Sequence, residues 1–438
     1  MSEHATRTAD SRVSTGGSPR SIQTLPTWPL TLLLVGFPIW WLVGILDFVW
    51  VPFAIVMAGY MVQRRQTLAP RGFGGWLLFL VCATCAVIGL TQAPQLLVFG
   101  YRLANYVACT IVFLYVFNSR KTLTDRFVTG TLTLWWLIVV AGGYIALMFP
   151  TGAVRTPVSM ILPDWLLSNS WVRLMVIRPL NQYNPDSYFQ LDPRPSAPFV
   201  YTNQWGSVYS LLLPFVIAYL ISVRGTRRFW WIVAALPVSF VPAILTTNRG
   251  MLLGIAVGAV YAAGCMLFRR DVRGVLALGG AAAVAALVAQ LLPISDRLET
   301  RSAAPSILDR ASLYLQSLDV VKDSPFFGYG RTLTVPGSID PVGTQGEFWI
   351  VLVSYGVLGV LFFVGWFIFA FIRSIRWQGS AGLAASTVLL VGTVQFFYYG
   401  AVPHTLPLIM IAAALALRTR TRTPPRNRSR YIRNPSYT

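Results

Sequence analysis

Acidic residues are scarce in this chain: 15 Asp and Glu stand against 35 Lys and Arg among 438 residues. Charged residues of either sign make up 11%, where a water-soluble domain carries about 25%. A chain so poor in charge cannot cover a water-facing surface, which excludes an ordinary soluble fold. Only two histidines occur, His4 and His404, and only four cysteines, Cys82, Cys85, Cys109 and Cys265. The cysteines all fall inside apolar stretches, and the Cys82–Cys85 pair has no second ligand pair, so it reads as small apolar residues in helices. Nucleotide-cradling glycine loops, serine-hydrolase patterns and metal-ligand clusters are absent from the sequence.

What is present is apolar length. Hydrophobic residues make up 55%, and the mean hydropathy is +0.60. Stretches of about 20 apolar residues recur, enough for a helix to cross the hydrocarbon core. The expectation is an all-α integral membrane protein with about twelve spans, near 28–46, 48–63, 74–92, 97–117, 127–148, 200–222, 229–246, 249–268, 274–293, 347–372, 380–399 and 404–418. The first two are separated by little more than Asp47. Residues 1–27 read as a disordered cytoplasmic tail, 28–418 as the membrane domain and 419–438 as a basic cytoplasmic tail.

The net charge of +20 does not form one patch, so nucleic acid is not the expected partner. Basic residues instead occupy alternate connections: Arg64, Arg65 and Arg71; Arg120, Lys121 and Arg126; Arg224, Arg227 and Arg228; Arg269, Arg270 and Arg273; Arg373 and Arg376. The C-terminal run from Arg418 to Arg433 belongs to the same set. By the positive-inside rule these connections and both termini are cytoplasmic. The other face carries two long loops, roughly 149–199 and 294–346, and long ordered loops carry function more often than short ones.

In the first loop, Trp165, Leu166, Leu167, Trp171, Leu174 and Met175 predict a segment lying on the outer membrane interface. The second predicts a helix opened by a capping box at Ser306–Asp309. Leu308, Ala311, Leu315, Leu318 and Val321 would form its apolar stripe, with Arg310, Tyr314 and Ser317 on another face.

Four arginines stand on the outer side: Arg102, Arg194, Arg249 and Arg310. A guanidinium makes bidentate, charge-assisted bonds to phosphate, so this grouping fits a phosphate or pyrophosphate ligand. Each also has a plainer reading. Arg102, inside its span, either serves a ligand or snorkels to the headgroups; Arg194 and Arg249 suit charged anchors at helix starts. Glu347 opens a span, where the helix dipole favours an acid. Asp309 sits in the capping box, and His404 reads as an interfacial residue.

Four segments in order resemble the O-antigen ligase and O-antigen polymerase family of bacterial polysaccharide assembly. Arg194-Pro-Ser-Ala-Pro-Phe with Thr202-Asn203 and Leu211-Leu-Leu-Pro214 looks like the first family motif. Asn248-Arg249-Gly250 looks like the second, and Asp309-Arg310 through Ser324-Pro325-Phe-Phe-Gly328-Tyr-Gly330 like the third. Gln345-Gly346 through Ser354-Tyr-Gly356-Val-Leu-Gly359 is similar to the fourth.

The resemblance implies a glycosyltransferase of the bacterial plasma membrane. It would take a polyprenyl-pyrophosphate-linked glycan as donor and a hydroxyl of a glycan or glycolipid as acceptor, at the outer face, without nucleotide sugar, metal or cofactor. Arg194, Arg249 and Arg310 would hold the pyrophosphate, with Arg102 as a lipid-side contact. Asn203, Trp205 and Tyr314 would position sugar. Where many family members have His, this chain has Gln345, whose amide orients a hydroxyl but takes no proton at neutral pH. Three explanations stand: Glu347 supplies a base, a good leaving group makes one unnecessary, or the member is inactive or uses another acceptor. The rival classes are a lipid-linked glycan flippase or other secondary transporter, and a non-catalytic scaffold. A transporter would place ionisable groups near the bilayer midplane, whereas here charges gather at span ends.

Overall fold

The structure is a computed structural model that describes residues 24–65, 67–183, 192–292, 306–335, 341–375 and 379–418. Both expected tails, apart from 24–27, lie outside the described residues, as do the side chains of 306–310 and Trp171. The capping box and the placement of the Asp309 and Arg310 side chains therefore lie outside them too.

Helices dominate. The first expected span is two short helices, α1 (Trp28–Val35) and α2 (Phe37–Val43), broken at Gly36. Pro38 lacks the amide that would continue the ladder, and its ring opposes the preceding turn. The second is α3 (Trp50–Arg64), of 15 residues. At 1.5 Å per residue such a helix reaches about 22 Å, short of a core about 30 Å thick. Then follow α4 (Gly74–Cys85), ending in a 3₁₀ turn (Ala86–Gly89), α5 (Ala93–Asn118) and α6 (Asp125–Met148).

Past the first long loop come α10 (Thr202–Ser222), α11 (Arg227–Leu245), α12 (Arg249–Phe268) and α13 (Val272–Gln290). The second loop carries α14 (Ser306–Val321) and leads to α15 (Glu347–Ser374), α16 (Gly379–Gln395) and α17 (Thr405–Arg418). Seven of these are long and apolar enough to cross a membrane: α5, α6, α10, α11, α12, α13 and α15. Gly74–Gly89, α16 and α17 are shorter apolar helices. The chain is a multi-pass membrane protein.

Burial grades the helices. α17 lies at the centre, buried at every residue. α13 has no buried residue although it is apolar between Arg273 and Gln290 at its two ends, which is the composition of a helix that faces lipid. Arg418, grouped with the C-terminal basic run on sequence alone, is instead buried at the end of α17, paired with Asp125 and donating to Val116 O (3.4 Å).

The first long loop contains more regular structure than one interfacial segment. It folds into α7 (Pro157–Ile161), α8 (Asp164–Leu167) and α9 (Ser170–Val176), with two small antiparallel sheets. β1 (Ala153–Arg155) pairs with β2 (Ile177–Pro179), and β3 (Asn181–Gln182) with β4 (Arg194–Pro195). Trp165 is exposed, but Met175, expected on the same segment, is buried.

The second loop also departs from expectation. Leu313, Ser317 and Val321 form the buried face of α14, whereas Ala311, Leu315 and Leu318 are exposed. The helix is thus rolled relative to the stripe predicted from its leucines, and Ser317, expected on the functional face, turns inward to bond Leu313 O (2.7 Å).

Candidate site at the loop end of the bundle

The two long loops leave the same end of the bundle, and there the segments singled out from sequence meet through hydrogen bonds. The side chain of Asn248 caps α12 by accepting from Met251 N (3.1 Å) and donates to Thr202 O (3.2 Å) at the start of α10. Tyr399, past the end of α16, donates its hydroxyl to Asn248 Oδ1. Gly250 permits this approach, since a Cβ there would stand 2.4 Å from the Tyr399 hydroxyl oxygen. Arg194 is half-buried on β4 and donates Nε–H to Thr246 O (2.8 Å), while Thr202 Oγ1 donates to Arg194 O (3.4 Å). The Arg194, Thr202–Asn203 and Asn248–Gly250 motifs, apart by up to 56 positions, therefore form one surface.

Glu347 ties that surface to the other side of the bundle. Its amide donates to Tyr399 O (2.9 Å). Its carboxylate is 1% exposed and accepts from the Tyr106 hydroxyl (2.6 Å) and from Ala401 N (2.8 Å). With both oxygens engaged, Glu347 is built to position the helix start and the 398–404 turn. Arg102, one turn before Tyr106 on α5, lies within electrostatic reach of Glu347 and Tyr355. It is half-buried, and its Nη1 is enclosed without a hydrogen-bond partner.

A second buried polar group, missed by sequence reasoning, supports the same end. Asp47, on the turn between α2 and α3, contacts Arg178 Nη1 at 2.7 Å, and both are almost wholly buried. His404 Nδ1 accepts from Trp50 Nε1 (3.1 Å), so its Nε2 carries the proton and donates to Asp47 Oδ1 (3.0 Å). Burial alone would raise the Asp47 carboxyl; the Arg178 charge, then His404, more than offset it and hold it at about 2. The signal available in the sequence was a lone acid between Leu46 and Phe48, since a charge among apolar spans demands a partner.

The remaining candidates separate. Arg249 is exposed and has no hydrogen bond or ion pair among the described residues. Asn203 and Gln345 are half-buried, Gln345 donating to Thr344 Oγ1 at 3.4 Å. Tyr314 is stacked on Trp349, with ring centroids 4.6 Å apart and planes 17° apart. Trp205 does not join them. It is fully buried, donates to Val139 O (3.1 Å) and stacks on Tyr209, so its ring faces the core and has no free face for sugar.

The glycines of the third and fourth motifs have a shared structural task. α15 is broken at Gly356 (φ 69°), and the segment Pro325–Gly330 lays its backbone into the break. Val357 N donates to Pro325 O (2.7 Å), Tyr329 N to Val353 O (3.0 Å) and Gly330 N to Ser354 O (2.8 Å). Irregular backbone is tolerated within a membrane bundle only where its polar groups find such partners. A Cβ on Gly356 would stand 2.5 Å from the Phe326 backbone, and one on Gly328 2.5 Å from that of Ser354.

Fold and site together describe a multi-pass membrane protein whose loop end gathers arginines over a hydrogen-bonded floor. Residues 234–349 match the family described as O-antigen ligase, which bears out the resemblance drawn from the motifs. The matched stretch includes Asn248–Gly250, Pro325–Gly330 and Gln345–Glu347; Arg194 precedes it. No curated protein matches the chain.

Proposed function

We propose that this chain is a membrane glycosyltransferase moving a glycan from a polyprenyl-pyrophosphate carrier to an acceptor hydroxyl at the outer face of the bacterial plasma membrane. The observation that carries the reading is the joining of the Arg194, Asn248-Arg249-Gly250 and Gln345–Glu347 segments on one hydrogen-bonded surface, over which the O-antigen ligase match largely extends.

In the reaction the acceptor oxygen attacks the anomeric carbon, and the bond from that carbon to the pyrophosphate oxygen breaks. The pyrophosphate leaves with the electron pair, and the acceptor proton passes to it or to water. Arg249, exposed and uncommitted among the described residues, supplies charge-assisted donors to the leaving group, a role assigned also to Arg194 and, from the sequence, to Arg310. Gln345 orients the acceptor hydroxyl, and Asn203 and Tyr314 contact sugar. Glu347 acts through the residues that it holds, because its own oxygens are engaged.

The test is purified protein in liposomes with a polyprenyl-pyrophosphate oligosaccharide, following glycan product size and released lipid pyrophosphate. Arg194→Ala, Arg249→Ala and Arg310→Ala should each lower turnover by about 10²–10³-fold. A ladder of product lengths identifies a polymerase, and a single transferred block a ligase. A donor that stays intact with every acceptor yet crosses the bilayer refutes transfer in favour of a flippase.

A further inference from the structure

We infer that the first long loop carries a binding site of its own, a cleft that takes the phosphate of an amphiphile whose head group also bears hydroxyls. This goes beyond the glycan-transfer reading and does not depend on it.

A cavity of about 460 Å³ is lined by residues of β1, α7, α8, α9 and β2 and by Ser168. Local bonds fix its walls. Thr156, buried directly after β1, caps α7 by accepting from Ser159 N and donates its hydroxyl to Val176 O (2.7 Å) at the end of α9. Arg155 on β1 is paired in register with Ile177 on β2. Arg178, the next residue, is the buried partner of Asp47, which anchors this wall in the bundle. Arg155 and Arg173, from opposite ends of the folded segment, thus line one cavity together with Ser159 and Ser168.

The polar lining is of two kinds. Arg155 and Arg173 are exposed, and neither side chain has a hydrogen bond or ion pair among the described residues. No carboxylate is among the lining residues. Ser159 Oγ donates to Thr156 O (2.6 Å) and Ser168 Oγ to Trp165 O (2.8 Å), so each hydroxyl has committed its proton and offers only lone pairs. Two guanidinium groups therefore supply the donors, and phosphate is the acceptor that suits them. The two seryl oxygens accept from hydroxyls beside that phosphate. Bare phosphate would use half of this lining, whereas a glycerol or sugar phosphate would use all of it.

The rim specifies an amphiphile. Met160 lines the cavity while 74% exposed, and Ile161 beside it and Trp165 on α8 are exposed as well. α7 packs on α2, whose Ile39 and Leu42 are also exposed. Apolar side chains gathered beside unpaired cationic ones suit a lipid surface. The cleft is distinct from the arginines assigned to the donor but joined to them by chain. Gln182, which pairs with Arg194, is five residues from Ile177, at most about 18 Å of extended backbone.

The test is calorimetric titration of the full-length protein in phosphatidylcholine nanodiscs with dihexanoylphosphatidylglycerol, with hydrogen exchange locating the bound molecule. Native protein should bind, and exchange should slow among amides 153–178. Arg155→Gln with Arg173→Gln should raise the dissociation constant about tenfold or more at unchanged thermal stability, since neither side chain holds the fold. Arg194→Ala with Arg249→Ala should leave it native. Absence of binding, protection confined to other segments, or equal affinity in the Arg155/Arg173 double variant overturns the site. Inorganic phosphate binding as tightly overturns it too, since the cleft would then take any anion. Geranyl-phospho-glucose separates the two sources of such a head group. Tighter binding than phosphatidylglycerol assigns the cleft to a lipid-linked glycan, weaker binding assigns it to a phospholipid of the bilayer, and both results uphold the site.

Discussion

The two long loops reach the same end of the bundle and are held there by opposite means. The first is held by side chains: Arg178 is sunk against Asp47, and Asn181 Nδ2 donates to Ala146 O (2.8 Å) and Phe149 O (3.1 Å) at the end of α6. The second is held by main chain, through Pro325, Tyr329 and Gly330 against the break in α15. A buried charge pair is unforgiving, because removal of one partner strands the other without water. A backbone plug depends on the absence of side chains, because closeness is what allows its bonds. The first design fixes Arg194 firmly beside Thr246, and the second seats Pro325–Gly330 through a few bonds at glycines.

The largest effect should come from the charge pair. Arg178→Ala leaves Asp47 buried and unpaired apart from His404, and should cost about 3–5 kcal/mol in unfolding of the detergent-solubilised protein. Asp47→Asn combined with Arg178→Met, which removes both charges, should recover most of that loss. Equal damage from the single and double variants would mean that the charges are not what anchors the first loop.

Gly356→Ala attacks the other design. The backbone there is left-handed, and the new Cβ meets the Phe326 main chain, so about 1–3 kcal/mol is expected. Limited proteolysis should then cut faster near 325–331 while the first loop keeps its native resistance. Faster cutting in both loops would show that they are coupled rather than separately held.

Acid should also tell the loops apart. The Asp47 carboxyl is depressed from 3.8 to about 2, so its stabilisation is complete above the unfolded value and is lost as pH falls through the folded one. About 2 kcal/mol should disappear between pH 5 and 2, most of it below 4, and should be absent from Asp47→Asn. The first loop should become protease-sensitive over that window and the second should not.

The same contrast explains what was legible in the sequence. Apolar length announced the long helices α3 to α6, α10 to α13 and α15 to α17, and glycine and arginine spacing announced the motifs, since both are local patterns. The break between α1 and α2 was legible in principle from Pro38. The Asp47–Arg178–His404 group was not, because its members lie 131 and 357 positions from Asp47, and no local period records such a pairing. The roll of α14 was misread because Leu315 and Leu318 look like core residues to any apolar count, yet a helix at a membrane surface can direct leucines outward. Trp205 was assigned to sugar by residue type, which cannot distinguish a ring facing a site from one facing the core.

The smallest effect tests whether Tyr314, on the second loop, is prop or contact. Its ring is stacked on Trp349, whose Nε1 donates to Phe397 O (3.1 Å), so the pair joins α14 to the start of α15 and the 396–398 turn. An aromatic pair of this kind contributes about 0.5–1.5 kcal/mol beyond its buried area. Tyr314→Ala should lose that much stability, and transfer should weaken with it whichever role is correct. Tyr314→Phe separates the two, because it keeps the stack and removes only the hydroxyl. If the hydroxyl bonds sugar, Tyr314→Phe should raise KM for one glycan substrate several-fold at native thermal stability. If KM and kcat both stay native, the ring is a prop for α14, and sugar contact in this loop must be sought on the exposed, uncommitted side chains instead.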